Sequence, residues 1–175
     1  MEHVMIDIET MGTKSFSSII SIGAVEFDIE SGKTGRVFYC NVDLQSCIDA
    51  GLVMDADTVI WWMKQSELAR SKLIDGGALK LKEALSRFSE FIKSDNKVWG
   101  NSARFDLGLL ENAYSRLGMD VPWKFWNERD VRTLVSFHPD VKKNLAFEGI
   151  QHDALDDCKH QIKYCSEIWN RLNKS

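Results

Sequence analysis

The chain has 175 residues, 44% of them hydrophobic, and a formal net charge of −4. That length and apolar share suffice for one ordinary domain over residues 1–175 with a buried core, and only two prolines and no long polar tract speak against a linker-rich or disordered chain. The absence of any run of about 18 apolar residues excludes a membrane-spanning helix, and the acidic balance argues against a protein that grips long duplex DNA through a basic face.

VMIDIE is the first expected strand. Strand faces alternate with period two, so Val4, Ile6 and Ile8 share one face while Met5, Asp7 and Glu9 share the other. Two carboxylates side by side repel, and burying either unpaired is costly. SIISIGAVEFDIE and GRVFYCNVDL read as the second and third strands, joined by the turn SGKT at Gly32 into an antiparallel hairpin. SCIDAGLVMDADT reads as a polar connection, with Asp57 or Thr58 capping a helix TVIWWMKQSELAR and Gly76-Gly77 breaking the chain after it.

In LKLKEALSRFSEFIK, Leu81, Leu85, Phe88 and Ile92 fall at helical spacing. KVWGN is a short strand, Asn101 or Ser102 caps ARFDLGLLENAYSRLG, and Gly118 stops that helix. VPWKFW reads as extended, Asp130 as the cap of VRTLVSF, and Pro139 as its end. The last helix is DALDDCKHQIKYCSEIWNRLN, with an apolar stripe of Ala154, Cys158, Ile162, Cys165, Ile168 or Trp169, and Leu172. Three strands followed by helices alternating with short strands predict an α/β fold, a mixed sheet flanked by helices. Cys40, Cys47, Cys158 and Cys165 form no CxxC pair and read as reduced, buried thiols. With no signal peptide visible at the N-terminus, a cytoplasmic protein with no membrane association is expected.

Four acids and one histidine stand out: Asp7 and Glu9 at the end of the first strand, Asp106 in the first turn of a helix, and Asp157 five residues after His152. An acid in a first helical turn has an ordinary explanation in the helix dipole. Two acids on one face of an apolar strand do not. Two-metal phosphoryl transfer uses such a cluster, because two Mg²⁺ or Mn²⁺ ions need several oxygen ligands and clamp the attacking and leaving oxygens. The cations would offset the repulsion between Asp7 and Glu9, and His152 titrates in the range needed to accept a proton from the attacking water.

At these residues the sequence resembles the DEDDh branch of the 3′–5′ exonucleases. Its three motifs appear in order as Asp7-Ile8-Glu9, Phe105-Asp106, and His152-Asp153-Ala154-Leu155-Asp156-Asp157. The position four before Asp157 is Asp153, where the tyrosine branch carries tyrosine. Asp156 falls outside the motif and reads as solvated. IISIGAVEFD, TVIWWMKQS and PWKFWNERDVRTL further resemble compact phage and bacterial exonucleases of the DexA-like and exoribonuclease-like kind.

The resemblance implies a ribonuclease H-like five-stranded mixed sheet and metal-dependent release of nucleoside monophosphates from single-stranded DNA or RNA 3′ ends. It implies that Asp7, Glu9 and Asp157 hold one ion, that Asp7 and Asp106 hold the second, and that His152 is the general base. It also implies that Thr10, Met11 and Gly12 run along the terminal nucleotide and that the protein works in a bacterial cell or phage-infected host. Relatives of this kind are often dimers, so a homodimer is one candidate assembly. Trp61, Trp62 and Phe105 are candidates for base contacts, with at least one of the two tryptophans expected in the core. Asn101 is a candidate substrate contact or a helix cap, and Arg129, Arg132 and Lys142-Lys143 are candidate phosphate contacts or ordinary surface groups. Two other readings stay open: a catalytically silent nucleic-acid-binding module of the same fold, and a hydrolase of small phosphate esters.

Overall fold

The computed structural model describes residues 1–74 and 77–174, so Gly76 of the expected chain break lies outside the described residues. Five strands, β1 (His3–Thr10), β2 (Ile19–Phe27), β3 (Thr34–Asn41), β4 (Lys97–Gly100) and β5 (Glu128–Asp130), form one sheet in the order β3-β2-β1-β4-β5. β2 runs antiparallel to β1 and β3, while β4 runs parallel to β1 and β5 parallel to β4. This is the expected mixed sheet, with the hairpin turn at Gly32 closed by Asp28 N–H donating to Lys33 O at 2.9 Å.

The two faces of β1 separate as the alternation requires. Val4, Ile6 and Ile8 pack with Leu81, Leu85 and Phe88 of α4 (Leu81–Phe91) and with Leu109 and Leu110 of α5 (Ala103–Arg116). Met5 faces the other way, toward Ile162, Cys165 and Ile168 of α8 (Ala154–Asn173) and Val131 and Leu134 of α6 (Val131–Val135). The predicted stripe of α8 is buried through Ile168, whereas Leu172 is exposed near the helix end. All four cysteines are free and buried, as expected.

One close approach fixes where α8 starts. Gly23 pairs with Asp7 across β1 and β2. A side chain there would lie 2.7 Å from the carbonyl carbon of Ala154. Glycine at this place lets the N-terminus of α8 rest directly on the sheet beside Asp7. Cys158 reinforces the seat, its thiol reaching the carbonyls of Met5 and Gly23 at 3.5 and 3.6 Å.

Several local expectations need correction. The stretch expected as a polar connection contains α1 (Leu44–Asp49), whose cap Asp43 accepts from Gln45 N and Ser46 N. TVIWWMKQSELAR is two helices, α2 (Ala56–Met63) and α3 (Glu67–Ile74). Ser66 lies between them, its hydroxyl accepting from Ala69 N at 3.2 Å. Asp55, rather than Asp57 or Thr58, caps α2. VPWKFW is not extended to its end: Phe125–Asn127 is a 3₁₀ turn, and β5 follows it. Asp130 caps α6 as predicted, accepting from Thr133 N. Pro139 begins a further helix, α7 (Pro139–Asn144), where a first-turn proline loses no hydrogen bond. Among the described residues no helix is long and apolar enough to cross a membrane.

Candidate active site

Asp7 and Glu9 come from the end of β1, at the sheet edge where β4 has already stopped; the β1–β4 pairing ends at Ile6 and Gly100. Just beyond that point the backbone N–H of Ile8 favours the ionised form of Asp106. Asp106 also accepts from Ser102 N at 3.1 Å, so the acid closes the first turn of its own helix. Ser102, one of the two expected caps, is the N-cap residue of α5, though its side chain makes no capping bond. Asp130 accepts from Ala103 N at 2.9 Å and ties the same turn to β5.

Asp157 and His152 arrive from the other face of the sheet. Asp157 lies in the first turn of α8 and its Oδ2 accepts from the backbone N–H of His152 at 3.0 Å. Ligand atoms of Glu9, His152 and Asp157 all lie within 4.8 Å of one another. All five motif residues, Asp7, Glu9, Asp106, His152 and Asp157, line one cavity of about 270 Å³ with Asn101, Phe105, Arg132 and Gln161.

The cavity is electrostatically unfavourable for its own acids. Burial, then the charges of Asp106, Glu9 and Asp157, holds the Asp7 carboxyl well above the usual range. Burial and the neighbouring acids push Glu9 up to about 8. Burial pushes Asp106 up to about 7 and Asp157 to about 6, while the Arg132 charge favours the ionised form of Asp106. Burial lowers the His152 pKa, which keeps the imidazole neutral and able to accept a proton.

Gln161 is a functional candidate that the sequence reading missed. Its Nε2 donates to Asp7 Oδ1 at 2.8 Å, while its buried Oε1 has no hydrogen-bond partner. The signal was present: Gln161 follows Asp157 by one helical turn and interrupts a buried stripe between Cys158 and Ile162. The Oδ1 of Asn101 is likewise buried without a partner. Two orphaned acceptors beside four destabilised carboxylates make a donor set of oxygens that suits a hard divalent cation and its water ligands.

A second cavity of about 490 Å³ adjoins the first through Ile8, Glu9 and Phe105, and is completed by Thr10, Gly12, Thr13, Asp55, Asp57, Thr58, Trp61 and Trp62. Trp61 is 41% exposed and meets the His152 ring edge-on at 4.9 Å between centroids. Trp62 is 4% exposed, and its indole donates to Thr10 O at 2.9 Å. The two neighbours therefore divide into a site wall and a core residue. Thr10 is buried and donates to Gly12 O at 2.7 Å. Gly12 lies against Ser17 of its own loop, so close approach within the loop already requires glycine there. Met11 is absent from the walls of both cavities; its backbone is bonded to Ser18 O and Asp55 N. Arg129 bonds the carbonyls of Trp126 and Glu128, whereas Lys142 lies over the Tyr164 ring at 5.4 Å.

Residues 2–169 match the Rv2179c-like 3′–5′ exoribonuclease domain. The chain belongs to this family. The family fits the DEDDh type of 3′–5′ exonuclease, an enzyme class that hydrolyses phosphodiester bonds. The Rv2179c-like chain is 25% identical to the exodeoxyribonuclease of Enterobacteria phage T4 over 197 residues, 93% of this chain and 86% of that one. It is 27% identical over 120 residues to a DNA polymerase III PolC-type of Pediococcus pentosaceus, covering 68% of this chain and 7% of the polymerase. Among solved structures, E. coli exonuclease I in complex with a dA16 oligonucleotide superposes with a TM-score of 0.67 at 18% identity, over 98% of this chain. The Mg²⁺- and Mn²⁺-bound form of S. pombe Pop2p superposes with a TM-score of 0.63 at 15% identity, covering 98% of this chain and 84% of that one. These likenesses establish the ribonuclease H-like sheet. The chain spans only 41% of the exonuclease I chain.

Proposed function

We propose that residues 1–175 form one nuclease domain that removes nucleoside monophosphates from the 3′ end of single-stranded DNA or RNA. In this reading Asp7, Glu9, Asp106 and Asp157 seat two divalent cations, Mg²⁺ or Mn²⁺, and His152 is the general base. The observation that carries it is the convergence of these five residues, from β1, α5 and the start of α8, on one cavity.

When bound, such ions polarise the attacking and leaving oxygens of the phosphodiester and offset the carboxylate repulsion. The chain's own residues do the rest. Gln161 orients the Asp7 carboxylate through its amide N–H. His152, kept neutral by burial, accepts the proton of the attacking water. Asn101 and Arg132 stand at the cavity wall, where Arg132 can meet the substrate phosphate. Trp61 and Phe105 flank the adjoining cavity and offer apolar faces to the terminal bases, with Thr10 and Gly12 giving backbone contacts. The T4 relative supports a bacterial or phage-infected cytoplasm as the place of action. Homodimerisation is part of the proposal and is read by analytical ultracentrifugation.

The test uses single-stranded DNA and RNA of one sequence, each labelled at the 5′ end, with Mn²⁺ or EDTA. A metal-dependent ladder shortening from the 3′ end is expected. No shortening of either polymer, with Asp7→Ala behaving as the parent, would replace this reading with the silent binding module. Cleavage of mononucleotide esters in preference to chain ends would replace it with the small-ester hydrolase.

The grouping of Glu9, His152 and Asp157 ligand atoms within 4.8 Å favours one specific variant reading, in which His152 is itself a metal ligand. Calorimetric titration with Mn²⁺ separates the two. His152→Ala keeps metal affinity if the residue is a base and loses it if the residue is a ligand.

A further inference from the structure

His152 is the one non-glycine residue with positive φ among the described residues, at +65°. L side chains hold this conformation only where their surroundings impose it. The surroundings here are four hydrogen bonds and one ion pair at the start of α8. His152 N–H donates to Asp157 Oδ2 at 3.0 Å, and Asp153 N–H donates to Ile150 O at 3.2 Å. Asp153 Oδ1 caps the helix by accepting from Asp156 N at 3.1 Å. Asp156 then returns the link: its Oδ2 accepts from Ile150 N at 3.0 Å, while Lys159 holds its Oδ1 at 3.0 Å.

The loop is shaped to make this last bond. Gly149 has φ +112°, and a side chain there would lie 2.5 Å from Asp156 Oδ2. Asp156 is thus neither the solvated group that the sequence suggested nor a member of the proposed reaction chemistry. Successive acids of one helical turn divide the loop between them. Asp157 holds His152 itself, and Asp156 holds the backbone two residues earlier.

We propose that Asp156 is a positioning residue: its carboxylate clamps the Gly149–Gln151 loop and so sets the imidazole of His152 over the acid cavity, edge-on to Trp61. The inference rests on the reading of His152 as general base. Asp156 acts through the loop and touches neither substrate nor metal.

The test is a double-mutant cycle read by kcat and KM at saturating metal, and by Mn²⁺ affinity in a separate calorimetric titration. Asp156→Ala lowers kcat about 10- to 100-fold, the range typical when an outer support of a site is removed, with KM and Mn²⁺ affinity changed less than twofold. Asp156→Asn restores most of the rate, since the amide oxygen still accepts from Ile150 N–H. Gly149→Ala, which displaces the same bond from the other side, reproduces the loss. In a His152→Ala background, Asp156→Ala has no further effect on kcat. A full rate for Asp156→Ala alongside an inactive His152→Ala overturns this inference alone. An equal loss from Asp156→Ala in both backgrounds marks a general structural role and also overturns it. A His152→Ala enzyme as fast as the parent removes the general base, and the positioning role with it.

Discussion

The side-chain amide of Gln161 donates to Oδ1 of Asp7 across 2.8 Å, a neutral donor set against a buried acid that three other carboxylates crowd. A hydrogen bond to a charged acceptor is worth about 1.5–3 kcal/mol, and it favours the carboxylate over the acid. Gln161→Leu keeps the volume and removes the donor. We expect kcat/KM at pH 7 to fall about 10- to 100-fold, with part of the loss recovered near pH 9, because Asp7 then needs a higher pH to ionise. The pH–rate profile of the variant checks this; a parallel loss at every pH would deny Gln161 any part in the ionisation of Asp7.

Much of this arrangement could be read from the chain. The alternation in β1 put Asp7 and Glu9 on one face, and the spacing from His152 to Asp157 put both at the start of α8. These signals survive because periodicity and capping are local. The parts that escaped depend on contacts distant in sequence or on elements too short to show a period. β5 has three residues and lies just after an aromatic-rich stretch that read as extended. The role of Asp156 depends on the left-handed turn at His152, for which the sequence carries no mark except Gly149. The division of Trp61 from Trp62 rests on the carbonyl of Thr10, 52 residues from Trp62.

The raised carboxyls set a pH dependence for the stability of the metal-free protein. Glu9 at about 8, Asp106 at about 7 and Asp157 at about 6 all exceed their unfolded values. Their contribution is therefore fully present below about pH 4 and is lost as pH rises through the folded values. Glu26, Asp28 and Asp140 are shifted the other way by Arg36, Ser31 and Arg171, so acid below about pH 4 removes their contribution instead. Thermal unfolding in EDTA should give its highest Tm near pH 5 and a decline toward pH 8.5. Added Mn²⁺ should raise Tm more at pH 8.5 than at pH 5. A flat profile between pH 5 and 8.5 would contradict the mutual destabilisation of these acids.

The same repulsion predicts a trade between activity and stability at Asp7. Asp7→Asn keeps an acceptor for Gln161 and removes one buried ionisable group, whose charged form burial and the neighbouring acids disfavour, from beside three others. Metal-free Asp7→Asn should melt about 2–4 °C higher than the parent, the shift that about 1 kcal/mol produces in a chain of this size, while exonuclease activity falls below detection. Scanning calorimetry in EDTA gives the first quantity and the labelled-strand assay the second. A lower Tm would mean that the carboxylate of Asp7 is stabilised within the metal-free cavity.

Trp61 and Trp62 should part company under mutation. Trp62 is buried and its indole N–H is committed to Thr10 O, so Trp62→Ala removes core volume and leaves that carbonyl unpaired. A loss of about 3–5 kcal/mol of stability is expected, seen as a large drop in the denaturation midpoint. Trp61 lies at the cavity wall with part of its ring open to solvent. Trp61→Ala should keep the midpoint within error and raise KM for oligonucleotides about 10-fold, since stacking on one base is worth about 1–3 kcal/mol. Because Trp61 also meets the edge of the His152 ring, kcat reports whether that contact matters to the base: a fall in KM-saturated rate with unchanged KM would assign Trp61 to holding His152 instead of to stacking.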